Sequence, residues 1–148
     1  MCEAIWYFAY GSNMDQGKME TTILRVPPQA YVARLSGHRF EFSKKSKNWN
    51  WAGNIELDPE STVWGVVYLC TPDDIGNLRA CEKGYYEDKV DVYLDDGTEL
   101  KALTYIANET HTPGKPKAEY AKLVVGGAES RGLPRDYIGR LRQKADRA

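Results

Sequence analysis

Two short stretches of this 148-residue chain carry groups that could do chemistry. The first is Tyr10-Gly11-Ser12-Asn13-Met14, at the end of the apolar run Trp6 to Tyr10. That run has the bulk and density of a buried strand. Glycine at position 11 permits a backbone angle that a side chain would forbid, and it leaves amides bare for a ligand. Residues 15 to 24 contain no proline and only Gly17 as a weak helix former, so a helix is expected from at or just after Asn13. A strand turning on glycine into a helix leaves several N–H groups without partners, which attracts a carboxylate or phosphate. The turn is expected to hold the anionic end of a small substrate.

The second stretch is Cys81-Glu82-Lys83-Gly84-Tyr85-Tyr86. Glu82 falls at the C-terminal end of a well-signalled helix, where the dipole disfavours a further negative charge. Two tyrosines follow and could wall it from water, raising its pKa from ~4.3 toward the range useful to a general base. Read locally, a glutamate at a helix end is an ordinary solvated group. Cys81 beside it invites a thiol-nucleophile reading, but a small apolar thiol on a helix is ordinarily packing, and no histidine stands near in sequence. His38 and His111 read as structural or solvated.

The remaining composition narrows the function classes. Twenty basic against twenty-one acidic side chains give a net charge of −1, so no positive field favours nucleic acid. No apolar run approaches the ~20 residues of a membrane helix, and no charged-then-apolar leader opens the chain, so a cytoplasmic protein is expected. Cys2, Cys70 and Cys81 form no close pair, and neither histidine lies in a ligand-spaced cluster; disulfides, metal and other cofactors are not expected.

These groups must be positioned by a single domain spanning residues 1–148, since no linker or repeat interrupts it. Ala30–Leu35 and Arg39–Ser43 read as strands separated by Ser36-Gly37. Lys44–Asn50 reads as a solvated basic loop, or more sharply as an anion-steering lip on the pocket. Trp51–Leu57 and Thr62–Leu69 read as strands around the turn Asp58-Pro59-Glu60-Ser61. Val63–Leu69 is apolar on both faces and belongs in the middle of the sheet or barrel. Thr71-Pro72-Asp73-Asp74 starts a helix that runs through Ile75, Leu78 and Cys81 and stops near Gly84. Asp95-Asp96-Gly97 joins a hairpin of Asp88–Leu94 and Leu100–Ile106. Helices are expected over Lys117–Ser130, with a weak point at Gly126-Gly127, and from Arg135 to about Lys144. Trp49 and Trp51 read as core or pocket wall, Tyr105 and Tyr120 as core. Six or seven clustered strands and four helices indicate an α+β fold.

Tyr10-Gly11-Ser12-Asn13-Met14 resembles the Y-G-S-N-[LM] signature of the γ-glutamylcyclotransferase family. The likeness extends to Val63-Trp64-Gly65-Val66-Val67, Glu82 ahead of a glycine and tyrosine, Leu103-Thr104-Tyr105, and Gly132-Leu133-Pro134 followed by Tyr137. The tail is most similar to the glutathione-pathway enzymes; γ-glutamylamine cyclotransferases and antibiotic-pathway relatives share the signature. One departure is Lys83, which intervenes where many relatives have Glu-Gly directly. It leaves either Tyr85 or Tyr86 as the family's tyrosine, with Tyr86 taken as the pocket residue.

The resemblance implies a small, mixed, largely closed β-barrel or sheet flanked by helices. It implies a metal-independent enzyme that cyclises a γ-glutamyl compound to 5-oxoproline, with Glu82 as general acid/base. Substrate contacts are implied for Tyr10, Gly11, Ser12, Asn13, Met14, Tyr86 and Tyr105. The partner is then a small γ-glutamyl molecule, with monomer and homodimer both open. A catalytically silent relative, acting as a small-molecule binding module, is the alternative. All of this requires positions 11–13 and 82 to meet across one cavity.

Overall fold

The doubly apolar segment Val63–Leu69 decides the architecture, because it must be covered on both edges and both faces. In the computed structural model, which describes residues 4–147, it lies within β3 (Asn50–Cys70). β3 pairs antiparallel with β1 (Ile5–Ala9) through Phe8↔Val67 and with β2 (Ala30–Ser46) through Tyr31↔Val67. Val63, Val66, Val67 and Tyr68 are wholly buried. β2 passes on to β4 (Tyr85–Leu94) at Arg34↔Tyr93, and β4 forms a hairpin with β5 (Glu99–Ala107). The turn between them uses Gly97 at φ 86°, in the left-handed region open to glycine. β5 returns alongside β1 in parallel, Tyr7↔Leu103, and closes a barrel in the order β1-β3-β2-β4-β5.

The fold is α+β with five strands among the described residues, fewer than the six or seven expected, because two pairs of expected strands are continuous. Arg39–Ser43 continues from Ala30–Leu35 within β2, and Thr62–Leu69 continues from Trp51–Leu57 within β3. The two irregularities face each other. Gly37, at φ 77°, lies opposite residues 58–61, between the pairs Ser36↔Thr62 and His38↔Leu57. Asp58 does use turn chemistry, accepting from the Glu60 amide at 3.1 Å and the Ser61 hydroxyl at 2.7 Å. The result is a bulge that bends a long hairpin rather than ending it, since pairing resumes on both sides. Lys44–Asn50 is likewise mostly strand, with only residues 47–49 forming the hairpin tip.

The helices cover the barrel and hold its ends. α1 (Gln16–Ile23) follows the first strand, and α2 (Pro72–Cys81) opens on a full capping box between Thr71 and Asp74. Ile75 and Leu78 are buried on α2, but Cys81 is exposed, against the packing role expected of it. It is the last residue of α2, past the buried Ile75 and Leu78. α3 (Ala118–Arg131) runs unbroken through Gly126-Gly127. The glycine at 127 is a close approach and not a weak point: a Cβ there would lie 2.8 Å from the Asp15 amide nitrogen. α4 (Arg135–Ala145) buries Tyr137, Ile138 and Leu141. No helix among the described residues is long and apolar enough to cross a membrane.

Candidate active site

β1 ends at Ala9, and the chain turns through Tyr10 and Gly11 into a single 3-10 turn, Ser12–Met14. The expected direct passage from strand to α-helix does not occur. Asp15 is extended and caps α1 by accepting from the Lys18 amide, so the bare amides belong to the turn and not to α1. Among the described residues, the amides of Gly11, Ser12 and Asn13 meet no backbone acceptor. Gly11 has φ −120°, outside the left-handed region, and a Cβ there would touch the Tyr120 hydroxyl at an ordinary 3.6 Å. Its ψ of −133° lies outside the ordinary strand and helix basins.

The turn is held from behind. The Asn13 carbonyl accepts from the Tyr68 hydroxyl at 2.7 Å, and the Met14 carbonyl accepts from Arg131 Nε at 3.0 Å. Arg131 Nη2 in turn donates to the Tyr68 hydroxyl at 3.1 Å. Met14 is fully buried in the core and does not line the cavity, against the substrate contact expected of it. Its side chain lies on the inner side of the turn, where it anchors the backbone.

The Asn13 side chain faces forward. Its Oδ1 sits 3.4 Å from the Thr22 hydroxyl, while Nδ2 donates to the Tyr7 hydroxyl at 3.0 Å and to Glu82 Oε1 at 3.4 Å. Glu82 is the residue that closes α2, and its amide donates to the Leu78 carbonyl at 3.0 Å. Burial pushes its carboxyl up to about 7, with the positive charges of Lys18 and Lys44 acting in the opposite direction. Desolvation, rather than the helix dipole, is the main cause.

Five phenols surround this carboxyl: Tyr7, Tyr10, Tyr85, Tyr105 and Tyr120. Burial raises the pKa of each, so all are neutral hydrogen-bonding groups near pH 7. Tyr10 donates to the Tyr105 carbonyl at 2.5 Å, and Tyr85 donates to the Gly53 carbonyl at 2.7 Å. The Gly53 amide donates to the Tyr120 hydroxyl at 2.9 Å. The Tyr105 hydroxyl is buried and has no partner among the described residues.

The cleft so formed is about 50 Å³, and Gly11, Ser12, Asn13 and Glu82 all open onto it. Tyr86 does not: it is 47% exposed, and Tyr85 takes the inward position. The two are successive residues of β4, and neighbours on a strand face opposite sides. Tyr7, Gly53, Thr104 and Tyr120 are lining residues that the sequence did not single out for the site. Tyr120 reads as core because it is core by burial, yet it also lines the cleft. Gly53 contributes backbone, which no side-chain pattern announces. Among the described residues no three His, Cys, Asp or Glu side chains converge as metal ligands would.

The arrangement combines bare amides suited to an anion with a carboxyl poised to accept and release a proton near neutrality. Comparison with known proteins supplies the family. The AIG2-like family model matches residues 62–141. γ-Glutamylcyclotransferase of Homo sapiens is 30% identical over 151 aligned positions, covering 95% of this chain and 78% of the relative. The Bos taurus γ-glutamylcyclotransferase is 31% identical, covering 94% and 78%. A solved γ-glutamyl cyclotransferase structure superposes with a TM-score of 0.84 at 27% identity, over 95% of this chain and 87% of that one. Likeness of this extent, in sequence and in fold, makes the chain a member of the γ-glutamylcyclotransferase family of enzymes.

Proposed function

We propose that this enzyme cyclises a small γ-glutamyl compound to 5-oxoproline and a free amine, with Glu82 carrying the proton. The observation that carries the reading is the half-buried Glu82 carboxyl, held near pH 7 across one small cleft from the bare amides at 11–13. A silent binding module would use the amides but has no need of a carboxyl poised near neutrality.

The amides of Gly11, Ser12 and Asn13 hold the α-carboxylate of the substrate, which points its α-amine toward Glu82. The carboxylate removes a proton from the α-ammonium, and the amine nitrogen attacks the γ-carbonyl carbon of the same molecule. A C–N bond forms in the five-membered ring and the old amide C–N bond breaks. The two protons the α-ammonium gives up, one before attack and one as the ring closes, pass through Glu82 to the leaving nitrogen, which departs as an ammonium. No water is consumed and no enzyme nucleophile is needed. The folded geometry replaces it: holding the two reacting groups together can contribute ~7–11 kcal/mol. The Tyr105 hydroxyl, buried without a partner among the described residues, supplies a donor for the charge developing on the γ-oxygen.

Incubation with γ-glutamyl-alanine, γ-glutamyl-ε-lysine and glutathione, followed by assay of 5-oxoproline, tests the reading and ranks the substrates. Glu82→Gln is expected to bind substrate but lose at least ~100-fold in kcat. A fully active Glu82→Gln protein discards the mechanism.

A further inference from the structure

The cleft opens outward into a wider groove of about 630 Å³, with which it shares Ser12, Glu82, Tyr85 and Tyr120. Five lysines line that groove: Lys18 from α1, Lys44, Lys45 and Lys47 from the β2–β3 hairpin, and Lys83 beyond α2. Among the described residues Glu82 is the sole acidic one on its walls. Among the described residues the ion-paired lysines are Lys101 and Lys144, both elsewhere. The groove thus concentrates unpaired positive charge in a chain whose net charge is −1.

Two of these amines are held in place. Lys44 Nζ lies 5.1 Å from the centre of the Tyr85 ring. Its end packs against Gly84, where a Cβ would come within 2.8 Å of Lys44 Cε. Lys18 Nζ donates to the Thr22 hydroxyl at 3.1 Å. Both also act on the Glu82 carboxyl, so their charges reach the reacting end of the cleft.

We infer that the groove selects γ-glutamyl compounds whose leaving portion carries two or more negative charges, such as a dicarboxylic amino acid. This rests on the cyclotransferase reading. The γ-glutamyl half fills the inner cleft, so the departing amine and everything attached to it must occupy the groove. One carboxylate would leave most of the five cations repelling each other, whereas a polyanion relieves that repulsion. The chemistry is unchanged: the ring nitrogen–carbon bond forms, the amide bond breaks, and both protons released by the α-ammonium leave on the dicarboxylic amine as its ammonium.

The test compares γ-glutamyl-glutamate with γ-glutamyl-glutamine, which match in shape and differ by one charge. The expected kcat/KM ratio is at least ~10 in favour of the glutamate compound at about 0.02 M salt, falling toward ~2 at about 0.5 M. Lys45→Gln, Lys47→Gln and Lys83→Gln combined should collapse the low-salt ratio. Equal kcat/KM for the two compounds, or a ratio unmoved by salt, overturns the inference. Should neither compound yield 5-oxoproline, the cyclotransferase reading fails. Calorimetric affinity of Glu82→Gln protein for the same pair then decides the charge selectivity separately: a salt-sensitive preference supports it and equal affinity overturns it.

Discussion

Asn13 Nδ2 stands 3.4 Å from Glu82 Oε1, joining two residues 69 positions apart. The amide is neutral, and its orientation follows from its other neighbours: Oδ1 faces the Thr22 hydroxyl and Nδ2 the Tyr7 hydroxyl. It offers the carboxylate one donor without a charge, so burial governs the proton affinity of Glu82. Replacing Asn13 by Asp sets a second carboxyl against the first and raises the pKa of Glu82 above about 7. Turnover of Asn13→Asp at pH 7 is expected to fall at least ~10-fold and to recover partly at higher pH. A kcat/KM profile against pH reads both effects.

The wild-type profile should follow the same carboxyl. With Glu82 active as the carboxylate, kcat/KM falls about tenfold for each pH unit below about 7. Lys44 favours the charged form, so Lys44→Met raises the pKa and moves the ascending limb to higher pH. A limb that moves to lower pH in Lys44→Met, or one centred near an ordinary carboxylate value, contradicts the assignment.

Stability should show the opposite face of the same burial. A carboxyl whose pKa is raised on folding is no burden below its unfolded value of 4.5 and opposes folding increasingly as pH rises toward about 7. At about 1.4 kcal/mol for each factor of ten in proton affinity, the penalty reaches at most about 3 kcal/mol above pH 7. Glu82→Gln should therefore match the wild type in stability near pH 4 and exceed it at pH 8. Denaturant unfolding at the two pH values measures the difference.

Two adjacent glycines separate packing from helix propensity. A Cβ at Gly127 meets the Asp15 amide at 2.8 Å and Met14 backbone at 3.1 Å, whereas one at Gly126 meets nothing within 4 Å. Gly127→Ala should cost about 1–3 kcal/mol by overpacking, and it should raise KM by shifting the turn that carries Asn13. Gly126→Ala should instead stabilise α3 by up to about 1 kcal/mol. Thermal melting and steady-state kinetics on the two variants distinguish these outcomes.

Local signals along the chain are strong where short-range chemistry decides. Thr71-Pro72-Asp73-Asp74 starts a helix with each residue in its capping role, and Asp95-Asp96-Gly97 turns the β4–β5 hairpin. The signals mislead where a partner strand overrides them: Ser36-Gly37 and Asp58–Ser61 look like breaks, yet across from each other they form one bulge. Alternation on β4 means that one of Tyr85 and Tyr86 faces in, but only the register of the barrel selects Tyr85.

Residue types and spacing by themselves determined the α+β class, the glycine turn after the first strand and the placing of Glu82 at a helix end. Those depend on backbone preferences and periodicity that operate over a few residues. Tertiary structure alone decided that Asn13 faces Glu82, that Met14 is anchor and not wall, and that five tyrosines dry the carboxyl. It also gathered lysines from three separate segments around one groove. Desolvation and charge density are properties of the space between elements, and that space exists only once the barrel has closed.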